Sequence, residues 1–184
     1  MARNTLSRSL HDLGLSAWFG GTLANAVSLN PASSEAGSGR ATGAVANTGW
    51  DRWTPVNAVA IGMHVLGSVG QLAGNKGRLG GQQGVASMAT AKTVLTAASL
   101  GITAYSRFLG KKVSQHTDAS VRDATTPAAD TPHDVAKAQA QLRALQWAVP
   151  AFTGALVVVS AFAGEQQRSS EASKGITRRL TPGR

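Results

Sequence analysis

The stretch Ala144–Gly164, ALQWAVPAFTGALVVVSAFAG, runs for 21 residues without a charge. A bilayer hydrocarbon core of ~30 Å needs ~20 apolar helical residues at ~1.5 Å rise each. The stretch meets that length. Its polar members, Gln146, Thr153 and Ser160, have side chains that a helix can carry in lipid. It reads as a transmembrane helix, and Pro150, which lacks a backbone donor, predicts a kink within it.

Working backwards, Thr131-Pro132-His133-Asp134 has the form of a helix start, with Asp134 three residues after a capping threonine. The last helix therefore begins ahead of the membrane and enters it near Ala144. Residues 113–131 read as a polar linker with Asp118, Asp123, Pro127 and Asp130. A further span, 85–109, closes on Gly110-Lys111-Lys112, a good C-terminal signature. Asn75-Lys76-Gly77-Arg78 with Gly80-Gly81 reads as a tight turn. Another span, 55–74, has Thr54-Pro55 as its start, a capping hydroxyl followed by proline at the first helical position. Residues 32–54 read as a loop or a weak interfacial helix.

The first span is placed at about 13–30 and ends at Asn30-Pro31, because the residue before a proline leaves the helical region. Arg3, Arg8 and Ala24-Asn25-Ala26 resemble parts of a cleavable leader, but the run is too long and glycine-rich for one. The fold expected is all-α, a four-helix transmembrane bundle over 1–164, followed by a mobile basic tail over 165–184.

Composition suits that architecture. Charged residues make up only 15% of the chain, against ~25% in soluble domains. Glycine, alanine, serine and threonine are abundant, as at close helix contacts in lipid. With no cysteine, disulfides and thiolate chemistry are excluded. The net charge is +9 and the pI about 11.1. The basic residues fall between apolar stretches and in the tail, which points to membrane flanks and not to nucleic acid. Aromatic content of 5% also leaves little to stack on single strands.

Four spans put the N-terminus, residues 75–84 and the tail on one side. That side holds a slight Lys/Arg excess, so both termini are placed in the cytoplasm. Trp50, Trp53, Tyr105, Phe108 and Trp147 all fall at the opposite interface, where amphipathic rings anchor. Each span carries a stripe of small residues. Gly21, Gly67, Gly70 and Gly74 are the packing glycines expected, the last two as a GxxxG. In the third span the stripe is Ala86, Thr90, Thr93, Ala97, Gly101 and Ala104.

Polar groups in hydrocarbon are costly, so each is a site candidate. His64 lies near the middle of its span. His11 and Asp12 open the first span on the side where the second ends. Bis-histidine haem or metal ligation requires His11 and His64 at similar depth, whereas these placements put His11 nearer the surface. A histidine hydrogen-bonded between helices is the plainer reading. Lys92, about two turns into its span, either snorkels to the interface, pairs with Asp12 or meets a lipid phosphate. Asn25, Asn57 and Gln71 read as cross-helix glue. His116, His133 and the nearby aspartates match no metal-ligand spacing. No GxSxG, HExxH or phosphate loop is present. Neither catalysis, a cofactor nor a metal is therefore expected.

SLHDLGLSAWFGGTLANAVSLNPA resembles the first helix of small bacterial four-helix membrane domains of the copper-resistance D type, through His11, Trp18, Gly20 and Gly21. WDRWTPVNAVAIGMHVLGSVGQLAGNKGR and KTVLTAASLGITAYSRFLGKKV resemble an uncharacterised bacterial family of four-helix integral membrane proteins. That resemblance covers most of 9–113 and implies a four-helix membrane fold. The methionines Met1, Met63 and Met88 do not form the methionine-rich ligand set of copper handling.

The function expected is a polytopic membrane protein with a structural, accessory or interaction role. Its partners are the lipid bilayer, a homo-oligomer or other membrane subunits, and no nucleic acid. The alternatives are small-molecule, lipid or metal handling through His64, or a holin-like pore.

Overall fold

The computed structural model describes residues 4–82 and 84–165. Nearly all of them are helical. Four long helices dominate: α1 (Thr5–Ala24), α2 (Gly39–Gly74), α3 (Val85–Ser114) and α4 (His133–Glu165). The last three are long and apolar enough to cross a membrane. The first is not among them, since Arg8, His11, Asp12 and several small residues dilute its apolar content. The basic tail lies outside the described residues from 166 onward.

The helices pack in the order α2, α1, α4, α3. α1 lies between α2 and α4, while α3 leans almost wholly on α4. α2 and α3 barely touch, which leaves an open seam along the bundle. One apolar cluster joins Leu109 and Val113 of α3 to Val135 and Ala138 of α4. A second joins Trp18, Ala60 and Val149 across α1, α2 and α4.

Several boundaries differ from those read in the sequence. The first helical run does not stop at Asn30. It widens into a π segment, Asn25–Leu29, passes through Asn30–Ala32 and a 3-10 turn at Ser33–Ala36, and ends at Gly37. Gly37 has φ 84°, the left-handed conformation that a glycine adopts without a Cβ clash.

Residues 39–54 are not a loop. α2 begins at Gly39, where the Ser38 hydroxyl accepts the Ala41 N–H at 3.2 Å. Thr54 is therefore an interior residue and not a cap. Its hydroxyl donates to the Trp50 carbonyl, 2.8 Å away. Pro55 lies inside α2 and α4 runs through Pro150. Apolar packing on both sides holds these helices together despite the missing donors.

Asn75–Gly81 is not a tight turn, because Lys76–Gly81 forms a short helix. α3 continues past Gly110 to Ser114, with Lys111 and Lys112 in its last turn. The linker contains an antiparallel hairpin of β1 (Val121–Asp123) and β2 (Thr126–Pro127). Thr131 does not cap α4. Its hydroxyl donates to the Ser120 carbonyl and accepts the Ala128 N–H, so it ties the hairpin's base.

The outer faces carry Val59, Leu66, Val69, Val94, Val158 and Phe162, each more than half exposed. In water such a surface would be an association hazard. In a bilayer it is the natural exterior.

Candidate functional site

α1 and α2 cross where glycines remove the side chains between them. A Cβ on Gly14 would overlap the Ala60 carbonyl and the His64 nitrogen, and one on Gly67 would overlap the backbone of Ser7 and His11. Further along, Gly70 meets Ser7, Gly74 meets Asn4, and Gly21 lies under the ring of Trp53. The packing glycines thus face partner atoms directly, with Gly67, Gly70 and Gly74 on one α2 edge against α1.

His11 and His64 meet in this crossing. They are 1% and 0% exposed. Their ring centroids are 4.6 Å apart at an interplanar angle of 47°. Trp18 closes the group, its ring 6.0 Å from that of His64. The expectation of unequal depth is overturned. α1 starts at Thr5, so His11 lies well inside the helix and level with His64 across the glycine contact.

Each imidazole has one partnered nitrogen. His11 Nδ1 donates to Asp12 Oδ1 at 2.7 Å. His64 Nε2 shares a 3.2 Å hydrogen bond with Thr96 Oγ1, which ties α2 to α3 across the seam. The other two nitrogens, His11 Nε2 and His64 Nδ1, are buried without a partner. Two ring nitrogens alone make a poor metal set, and no group of three His, Asp or Glu ligands occurs among the described residues. A bis-histidine haem needs the ligating nitrogens about 4 Å apart with the macrocycle between them. Rings this close leave no such gap.

Asp12 is 72% exposed and pairs with His11; of the three alternatives for Lys92, the ion pair with Asp12 is not among the salt bridges of the described residues. Lys92 lines a cavity of about 390 Å³ on the seam, together with Thr93, Thr96 and Leu100. Where α3 ends and α4 begins, Asp134 Oδ2 lies 3.6 Å from Lys112 Nζ and 3.7 Å from His116 Nε2.

Several of the aromatic residues expected at one interface have hydrogen-bonded or stacked neighbours. Trp50 Nε1 donates to Asn30 Oδ1 at 2.9 Å. Tyr105 stacks on Phe108, with centroids 6.5 Å apart, and its hydroxyl donates to Gln141. Trp147 is half exposed on α4. Arg107 Nη2 donates to Asp51 Oδ1 at 2.9 Å and bridges the seam.

Two features escaped the sequence reading. Asn30 is 3% exposed and is a polar hub. It accepts from Trp50 and donates through Nδ2 to Gln146 Oε1 at 2.7 Å, so it joins the end of the first helical run to α2 and α4. The Asn-Pro pair drew attention only as a helix stop. The other feature is a second cavity on the seam, of about 310 Å³, at the aromatic level. Trp53, Asn57, Leu100, Leu145 and Val149 are among the residues around it. No helical period announces a void, because it arises from how the helices splay.

No protein-family profile, curated protein or solved structure matches the chain.

Proposed function

We propose that this chain is a four-span membrane protein with an accessory role, which joins a second copy or another membrane subunit through α3. The observation that carries the reading is the exposed face of α3 beside the open seam. Its stripe Ala86, Thr90, Thr93, Ala97, Gly101 and Ala104 is exposed along its whole length. A helix within its own bundle turns such residues inward, as α1 and α2 do at Gly14 and Gly67. In lipid a small-residue face gains from close contact with another helix. α1 completes the four spans, packed between α2 and α4 with Leu6 and Leu13 exposed on its outer side. The slight Lys/Arg excess supports cytoplasmic termini, and a bacterial inner membrane rests on the family resemblance alone.

The titratable groups of the core support a binding or structural role over catalysis. His11 and His64 are sealed in the helix crossing and line neither cavity. The test is in two steps. Alkaline carbonate washing leaves the full chain in the membrane pellet, and release into the supernatant would overturn the membrane assignment. In lipid, cysteines introduced at Thr90 or Gly101 cross-link to a partner, and Ala97→Leu lowers that yield at least fivefold. An unchanged yield in Ala97→Leu would sink the α3 interface.

A second reading, metal handling at the histidine pair, has only the two unpartnered ring nitrogens behind it. Stoichiometric metal in the purified protein, lost in His64→Ala, would replace the accessory role with that one.

A further inference from the structure

We propose that the cavity between α2 and α3, at the end that carries the short helix Lys76–Gly81, holds one anionic phospholipid, its phosphate on Lys92 and Arg78 and an acyl chain along the seam. The cavity measures about 390 Å³, within the ~300–1,000 Å³ usual for small-molecule sites. Its walls are mainly aliphatic, with Val65, Val69 and Leu72 from α2 and Val85, Met88 and Leu100 from α3. Val69 and Leu72 are 61% and 47% exposed, so the cavity opens on the outer surface. α2 and α3 barely touch along the seam, which lets a lipid enter sideways from the bilayer.

Lys92 selects the ligand. Val85, Met88, Lys92, Thr96 and Leu100 recur at three- and four-residue steps and all line the cavity, so Lys92 is central in the α3 wall. It is half-buried. It makes no hydrogen bond or salt bridge among the described residues. Its amine is also open, unlike His11 Nε2 and His64 Nδ1, which are closed off. Asp12 acts on Lys92 only from a distance, because its carboxylate is bound to His11.

Lys92 lies about 10 Å by helical rise inside the start of α3 at Val85. Helical side chains lean towards the N-terminus of their helix, so Lys92 leans towards the short helix that carries Arg78. The Arg78 guanidinium is oriented by Gln82 Oε1, at 3.0 and 2.8 Å, and by Asn75 Oδ1 at 3.2 Å. Arg78 lines the same cavity. Arg8 of α1 is near enough for its charge to act on both Lys92 and Arg78.

An ammonium beside aliphatic walls in a membrane requires an anion. A lipid phosphate is the anion that a bilayer presents to a snorkelling lysine, and arginine grips it in fork geometry. A free phosphate would leave the aliphatic walls bare. A zwitterionic head group brings its own cation towards three positive side chains. An anionic phospholipid meets both the charge and the walls.

The proposal rests on the membrane reading and not on the α3 contact. Thr93 and Ala97 of the α3 stripe also line the cavity, so lipid is counted per chain in whichever oligomeric state is present. A chain released by carbonate would fail the membrane reading. A chain that stays in the pellet and binds all lipids alike fails this proposal alone.

Native mass spectrometry of the full chain in neutral detergent micelles provides the test. The probes are phosphatidylglycerol and phosphatidylcholine with identical acyl chains. The expected result is one phosphatidylglycerol retained per chain, about tenfold in preference to phosphatidylcholine. Lys92→Gln lowers that preference about fivefold, and Lys92→Arg keeps it. Lys111→Gln removes an exposed charge at the far end of α3 and leaves the preference unchanged. Ala89→Trp fills the cavity and loses both lipids. Inorganic phosphate in large excess does not displace the lipid. Circular dichroism establishes that each variant folds. If Lys92→Gln does not fold, Ala89→Trp and the phosphate competition decide. Equal retention of the two lipids would overturn the proposal, as would lipid retained by Ala89→Trp. An equal drop in Lys111→Gln and Lys92→Gln would mean diffuse charge attraction, and displacement by phosphate would mean a site for a free anion. Either result would also overturn it.

Discussion

His11 and His64 touch, with ring centroids 4.6 Å apart, only because Gly14 and Gly67 let the backbones of α1 and α2 approach on either side of them. The glycines and the imidazoles are one packing unit. The glycines set the distance, and the rings fill the space that this distance leaves.

Glycine substitutions should therefore divide sharply by position. A Cβ on Gly67 meets the His11 nitrogen and the Ser7 carbonyl, and backbone atoms cannot rotate away. Gly67→Ala should cost about 1–3 kcal/mol through forced separation of the helices. Gly62 lies in the same helix with nothing within 4 Å of its Cβ position. Gly62→Ala should be neutral or stabilising by up to about 1 kcal/mol, since alanine is the better helix former. Thermal unfolding in one detergent compares the two. Equal effects would mean that the glycine crossing does not set the α1–α2 distance.

His64→Ala removes a fully buried ring and breaks the bond to Thr96. The void and the lost packing should destabilise the chain by roughly 2–4 kcal/mol. If the pair is packing alone, a strong chelator leaves the melting temperature of the native chain unchanged. A drop on chelation would show that a bound ion contributes to the fold. Calorimetry of the native chain with and without chelator, beside His64→Ala, separates these outcomes.

Asn30 should behave as a hub and not as a simple contact. Asn30→Ala takes the partner from both Trp50 Nε1 and Gln146 Oε1, which are half-buried, and should cost about 1 kcal/mol for each bond. A double-mutant cycle of Asn30→Ala with Gln146→Ala should show coupling of about 1 kcal/mol. Additive losses would mean that the Asn30–Gln146 bond carries little.

Much of this arrangement was legible in the residues, for reasons that can be named. The uncharged run 144–164 and the Lys111-Lys112 ending are local signals, and α3 and α4 contain the spans read from them. The glycine steps at 67, 70 and 74 fixed one face of α2 before any partner was known. Capping signals did worse. Thr54-Pro55 looked like a start, yet tertiary packing carries α2 straight through it, and Ser38 does the capping. Asn30-Pro31 looked like a stop, yet the π segment ahead of it widens the helix and lets the chain continue. The depth of His11 was misjudged because it was measured from the apolar run, while the helix begins eight residues earlier than that run. The seam and its cavities had no sequence signal, since they depend on the contact that α2 and α3 fail to make.

The hairpin offers a test by pH. Burial raises the pKa of Asp123, but hydrogen bonds from the hydroxyls and backbone N–H groups of Thr126 and Thr125 outweigh it, so the carboxyl titrates below its ordinary value. The Thr125 N–H donates to Asp123 Oδ1 at 2.7 Å. A carboxylate lowered in the folded state adds stability that is complete above its unfolded pKa of ~3.9. That stability is lost as pH falls through the lower folded value. The stability gap between the native chain and Asp123→Ala should therefore be full at neutral pH and narrow below about pH 4. A gap of constant size across that window would mean that the Asp123 charge does not hold the hairpin.

Gly37 isolates the cost of a backbone conformation. Its φ of 84° turns the chain from the first helical run into α2, and nothing lies within 4 Å of its Cβ position. Space is therefore not the obstacle to a side chain there, and the left-handed φ alone is. Gly37→Ala should destabilise by about 1–2 kcal/mol. Gly37→Asn should recover part of that, because asparagine tolerates the left-handed region better. Ranking the three chains by thermal unfolding checks both claims. If alanine matched glycine, the turn would have rearranged, and the first helical run would not need that conformation to reach α2.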